Sequence, residues 1–167
     1  MVRLNYTDNY KFTAKLSLNN QNLEVVQKTK VMGVQLTDDL KWHENTLELV
    51  KKANSRMILL RKVASFGASI DDMKNIYILY IRSILEQSCV VWHSSLTKEN
   101  SQHLERVQKS AVRTILGDKY INYEDGLFKV DLEELWERRE NLCLKFAKRC
   151  LKNDKSKTYL KIITKLT

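Results

Sequence analysis

Proline is missing from all 167 residues, where ordinary usage would supply roughly eight. That absence excludes proline-rich linkers, polyproline ligands and collagen-like segments. Glycine is scarce too, with four residues in the whole chain, so there are few places where a helix must break. Three cysteines, odd in number and set in apolar patterns, point to reduced thiols rather than a disulfide framework. Long hydrophobic runs are also lacking. No window approaches the ~20 apolar residues of a spanning helix, and the opening MVRLNYTDNY has no apolar signal core. The expectation is a soluble, intracellular protein with no membrane partner. Motifs of autonomous chemistry are absent as well: there is no P-loop, dinucleotide fingerprint, G-x-S-x-G or H-E-x-x-H.

What the chain does have is charge and periodicity. Hydrophobic content of 43% and charged content of 29% are near the globular norm, so a core can be buried. The formal charge is +9 and unevenly placed: residues 138–167 hold 10 basic and 2 acidic side chains, a net of +8. A solvated basic tail and a contact for a polyanion are the leading accounts of such an excess, with chance or a membrane surface as the remaining ones.

Phe12, Ala14, Leu16 and Leu18 alternate with polar residues, the pattern of a half-buried strand from Lys11 to Leu18. Asn19 to Asn22 form a polar turn, Leu23 to Val26 a second strand, and Val31 to Leu36 a third. Gly33 inside that third strand marks a bulge or a close backbone approach. After Thr37 the period becomes 3.6. Asp38 or Asp39 can cap a helix to Ser65 that buries Leu47, Val50, Ala53, Met57, Leu60 and Ala64, with Gly67 ending it. Ser69 and Asp72 open a second helix carrying Ile70, Met73, Tyr77, Tyr80, Ile81, Ile84 and Leu85. Thr97 caps a third, which turns Leu104, Val107, Ala111, Ile115 and Leu116 inward and stops at Gly117. A short helical turn follows near Tyr123 to Phe128. Asp131 and Glu134 then open a helix to about Lys152 that buries Leu135, Leu142, Phe146 and Cys150, and Ser156 to Leu166 reads as a last helix. The fold class is therefore α+β, mainly α: a small N-terminal antiparallel sheet of three short strands, then a bundle of about five helices.

The candidate chemistry thins out on inspection. Asp38-Asp39 and Asp71-Asp72 sit where helix caps are expected, not where converging segments could hold two metal ions. Cys89, His93 and His103 lack the fourth ligand and paired spacing of a structural zinc site, so no catalytic residue, metal or cofactor is assigned. Cations remain: Lys51, Lys52, Arg56, Arg61 and Lys62 on the first long helix, and Arg106, Lys109 and Arg113 on the third. Such stripes can hold a nucleic-acid backbone without reading sequence; a solvated helix face is the other reading of each.

Several ordered strings carry a resemblance. Lys30-Val31-Met32-Gly33-Val34-Gln35-Leu36, Asp39-Leu40-Lys41-Trp42-His43 and Lys52-Ala53-Asn54-Ser55-Arg56 come first, then Ile81-Arg82-Ser83-Ile84-Leu85-Glu86, Val91-Trp92-His93-Ser94-Ser95-Leu96 and the run Leu104 to Arg113, and finally Glu137-Arg138-Arg139-Glu140 and Leu142 to Leu151. Over essentially its whole length the chain resembles the region after the polymerase palm in non-LTR (LINE-type, Jockey-like) retrotransposon reverse transcriptases. The resemblance implies that residues 1–37 are the last palm strands, with Met32 and Gly33 in the primer-support motif. It implies that 38–117 form a thumb-like three-helix bundle and 118–167 a further helical region with a basic tail. The palm aspartates that bind Mg²⁺ in that family precede this region, so the chain alone is not expected to be an RNA-directed DNA polymerase. Its implied partner is an RNA/DNA template–primer, held by the thumb. The chain departs from the family pattern at Ser83 and Val90, where proline is common, at Gln87, near a common tyrosine, and at Gly126, where alanine is common. The alternative reading is a non-catalytic helical interaction or structural remnant with no nucleic-acid role, self-associating through an exposed palm strand edge.

Overall fold

A computed structural model of the chain describes residues 17–19, 21, 22, 24 and 26–153. The fold class is α+β and mainly α, with antiparallel strands at the N-terminal end. The parts of the expected first two strands at Lys11 to Leu16 and at Leu23 and Val25, and the expected helix Ser156 to Leu166, lie outside the described residues.

The described strands number four rather than three, and they form two separate hairpins. β1 (Ser17–Leu18) pairs with β2 (Gln21–Asn22), which starts inside the stretch read as a turn. β3 (Lys28–Val31) pairs with β4 (Val34–Thr37), Lys28 opposite Thr37 and Val31 opposite Val34. The single strand expected from Val31 to Leu36 is thus folded back on itself. Met32 and Gly33 both have positive φ, 49° and 85°, the two-residue turn whose twist matches that of its flanking strands. Methionine is a poor sequence signal for such a turn, because left-handed backbone costs a side chain with a Cβ about 1–2 kcal/mol. Gly33 is no bulge, but the expected close approach is present: a Cβ there would stand 2.7 Å from Gln87 Nε2.

α1 (His43–Ser65) starts later than the aspartates suggest, with Trp42 in the cap position and no side-chain cap. Asp39 instead closes the preceding turn. Its Oδ1 accepts from Thr37 Oγ1 at 2.6 Å and from the Lys41 N–H at 3.0 Å, and these donors pull its carboxyl down to about 2. α1 buries Leu49, Ala53, Met57 and Leu60 with Asn45 and Thr46, while Leu47 faces outward. The carboxamide of Asn45 accepts the Gln35 N–H at 3.1 Å, which ties β4 to α1.

α2 starts on a Ser69 cap bonded to the Asp72 N–H at 3.1 Å. It runs as α-helix over Ile70–Ile76, widens to π-helix over Tyr77–Arg82 and returns to α over Ser83–Leu85. The wide turn shifts the buried face to Met73, Tyr77, Ile81 and Leu85, every fourth residue, and turns the expected core residue Tyr80 outward. Ser88, left-handed at φ 54°, leads into the short α3 (Cys89–Trp92) and a 3₁₀ turn, His93–Ser95. α4 (Lys98–Leu116) is capped by Thr97 and ends at Gly117, as its sequence indicates. α5 (Tyr123–Val130) is capped by Asn122, and α6 (Leu135–Lys152) follows.

α1, α2 and α4 pack around one core that continues past Gly117, because Leu127, Val130 and Leu135 belong to it. Gly126 sets α5 close against α4: a Cβ there would lie 2.8 Å from Val112 Cγ1. α6 contributes to the core only as far as Leu142. Phe146, expected to be buried, is therefore 42% exposed, and Cys150 is half-buried. Among the described residues no helix is long and apolar enough to cross a membrane.

Candidate nucleic-acid interface

A regular helix advances 100° per residue, so spacing alone sorts the cations. Arg106, Lys109 and Arg113 fall within an arc of about 60° on α4, opposite the face that buries Leu104, Val107, Ala111 and Ile115. All three are exposed, and among the described residues none forms an ion pair with a carboxylate. Lys109 and Arg113 lie over the rings of Tyr123 and Tyr120 at 5.8 and 5.9 Å, contacts that steady long side chains without neutralising them. Gln102, one turn earlier, falls in the same arc.

The α1 cations are arranged differently. Lys51, Lys52, Arg56, Arg61 and Lys62 spread over about 220° of that helix. Lys52 is paired with Glu48 at 2.8 Å, and Glu48 also takes Lys30 at 2.5 Å. Because α1 and α4 pack against each other, Lys51 and Lys62, opposite the buried face of α1, look away from the α4 stripe. The structure brings the three α4 cations together and does not join the α1 set to them. Met32, at the β3–β4 turn, is 94% exposed, while Gly33 lies against Gln87.

Side chains that the sequence pattern did not single out organise the neighbourhood of α4. Glu105 receives the N–H groups of Leu135 at 3.0 Å and Trp136 at 3.2 Å, so a carboxylate from α4 caps the start of α6. Tyr123 also donates its hydroxyl to Glu105. Gln108, fully buried, accepts from Tyr77 Oη at 2.5 Å and donates to Tyr123 Oη and to the Glu133 carbonyl, each at 2.9 Å. Burial and the Glu105 carboxylate push the Tyr123 hydroxyl well above its ordinary value, and burial does the same to Tyr77. One signal for this network was present: Gln108 and Glu105 interrupt a face otherwise made of Leu104, Val107, Ala111 and Val112.

Next to the N-terminal end of α4 lies a cavity of about 480 Å³, whose walls include His93, Thr97, Ser101, Gln102, Trp136 and Glu140. Arg139, with no exposed surface, stands behind it. Its Nε–H donates to His93 Nδ1 and its Nη2 to Ser101 Oγ, both at 3.3 Å, while Nη1 is buried without a partner. The bond from Arg139 places the imidazole proton on Nε2, which faces Glu140 Oε2 at 3.3 Å. Burial and the adjacent guanidinium hold His93 below the usual histidine range. The His93 ring in turn leans on Trp136 at 5.9 Å and 57°. Arg139 sits at helical spacing between Leu135 and Leu142, which is the only sequence sign that an arginine belongs to the buried face.

Cys89 is buried, and its thiol is pushed up to about 11 by that burial, which leaves it unreactive as a nucleophile at neutral pH. Among the described residues no group of three His, Cys, Asp or Glu side chains could hold a metal ion. Comparison with protein-family models, with curated proteins and with solved structures finds no match in any of the three.

Proposed function

We propose that the chain is a nucleic-acid-holding module without polymerase chemistry of its own, related to the thumb region of a non-LTR retrotransposon reverse transcriptase. The observation that carries the reading is the α4 stripe: three exposed cations in a 60° arc of about 10.5 Å length, opposite the face that buries Leu104, Val107, Ala111 and Ile115. Contacts of this kind neutralise phosphates and release counterions, so they hold a backbone of any sequence. The ordered strings from Lys30 to Leu151 supply the link to reverse transcriptases, and the helical architecture they imply agrees with the fold.

Electrophoretic mobility shift against an RNA–DNA hybrid at graded salt tests the proposal. Affinity should fall with salt, and joint replacement of Arg106, Lys109 and Arg113 by glutamate should lower it at least tenfold and flatten the salt dependence by up to about three ions. Binding that ignores salt, or that survives the triple replacement, refutes the reading. Purified chain given primer–template, Mg²⁺ and nucleotides should incorporate none.

A further inference from the structure

The α4 stripe does not end at Arg106. Gln102 continues it by one turn, and Gln102 is also a wall of the cavity that holds Trp136. A backbone held along α4 is thereby led to an aromatic ring. Trp136 is 49% exposed, an unusual position for an indole that has no covering neighbour. Its surroundings fix it at two levels: the backbone N–H of Trp136 donates to Glu105, which sets the start of α6, and its ring rests against His93, which is buried between Arg139 and Glu140.

Around the ring, Thr97, Ser101 and Gln102 offer hydroxyl and carboxamide groups that can both donate and accept. That combination suits a flat heteroaromatic group with hydrogen-bonding edges, and the cavity volume is within the range of ligand-sized sites. The charges give the direction of entry. Glu140 stands in the α6 wall of the cavity and Lys98 in the α4 wall, so the charge of the lining favours phosphates on the α4 side, in line with the stripe.

We infer that this cavity is a base-stacking site for single-stranded nucleic acid, with the strand's phosphates on Arg106, Lys109 and Arg113 and one unpaired base lying against Trp136. The inference rests on the proposed nucleic-acid role and adds a substrate class to it. A paired base inside a duplex cannot reach the cavity, whereas an unstacked one can use both the ring and the hydroxyl rim. The buried Arg139, which lacks a directly paired carboxylate and carries an unpartnered Nη1, leaves positive potential behind the hydroxyl side of the site.

Fluorescence anisotropy of the full chain with labelled oligouridine of about 12 nucleotides, compared with an RNA–DNA hybrid of the same length, tests this. Trp136→Ala should weaken oligouridine binding about tenfold and hybrid binding less than twofold, and Trp136→Phe should recover most of the loss. Thermal unfolding of each variant reads folding separately, and the exposed ring predicts little change there. Equal effects on both probes, or none on oligouridine, would overturn the stacking site while leaving the stripe reading intact. If the triple α4 replacement leaves both affinities unchanged, the wider reading falls whatever Trp136 does.

Discussion

α1 and α4 are the two long, cation-bearing helices of the same core, and they use their charges in opposite ways. On α1 five basic residues are scattered over most of the circumference, and its best-placed carboxylate, Glu48, ties Lys52 and Lys30 to the surface. On α4 three cations share one line; of its two carboxylates Glu105 caps α6, while Glu99, exposed in the first turn, forms no ion pair with them among the described residues. Counting charge does not separate a solvated helix from an interface. Phase on the helix, and where the acidic residues are spent, does.

The largest expected effect comes from exchanging the two carboxylates for amides. Glu105→Gln leaves a backbone N–H of Leu135 or Trp136 facing an amide NH₂ and should cost about 2–3 kcal/mol of unfolding free energy. Glu48→Gln breaks surface ion pairs only and should cost less than ~0.5 kcal/mol. Chemical denaturation of both variants measures the contrast. Similar losses would mean that α4 holds no special architectural position.

Gly126 offers the next break. In an exposed helix, replacing glycine by alanine stabilises by about 0.5–1 kcal/mol. Here the new methyl would meet Val112 on α4 at 2.8 Å, so Gly126→Ala should destabilise by about 1–2 kcal/mol through overpacking. Gly126→Ala with Val112→Ala should recover part of that loss. A stabilised single variant would show that α5 is free to move off α4.

The binding contrast between the helices is smaller in free energy but closer to function. Lys51→Glu with Lys62→Glu on α1 should change affinity for the RNA–DNA hybrid less than twofold, against at least tenfold, about 1.4 kcal/mol, for the α4 triple replacement. Equal losses from both sets would place the backbone across both faces of the bundle.

What could be read in advance follows from how local the physics is. Ser69, Thr97, Gly67 and Gly117 delimit helices through contacts a few residues long, so residue type and spacing were enough to find them. Asp39 misled because its carboxylate has two uses, helix cap and turn closure, and Thr37 and Lys41 supply the second. Tyr80 misled because no residue marks a π-helical turn, which keeps Ile81 and Leu85 on the buried face and leaves Tyr80 outside it. The hairpin at Met32–Gly33 was hidden by a methionine held at positive φ, while the closeness of Gly33 to another part of the chain was legible from the glycine alone. At the candidate interface the phase of Arg106, Lys109 and Arg113 was in the sequence. The roles of Glu105, Arg139 and Trp136 were not, because each depends on residues about 30 to 50 positions away.

His93 gives the smallest and most specific test of how the end of α4 is built. Arg139 donates into its Nδ1 and Glu140 accepts at Nε2, so the neutral imidazole is the form that fits. Its folded pKa is depressed by burial and by Arg139. A histidine of this kind binds its proton less readily when folded than when unfolded. The unfolded chain therefore takes up the proton first as acidity rises, and stability follows it: full above the ordinary value of about 6.5, declining as pH falls below it. Unfolding midpoints of the wild type should drop between about pH 7.5 and pH 5, and His93→Gln, which cannot titrate, should drop less over that interval. His43 and His103 are common to both proteins and cancel in the difference. Arg139 makes the sign stringent: with the guanidinium replaced in Arg139→Gln the depression weakens, and the extra acid sensitivity of the wild type should shrink with it. Parallel pH profiles for wild type and His93→Gln would show that His93 titration does not set the acid sensitivity of this end of α4.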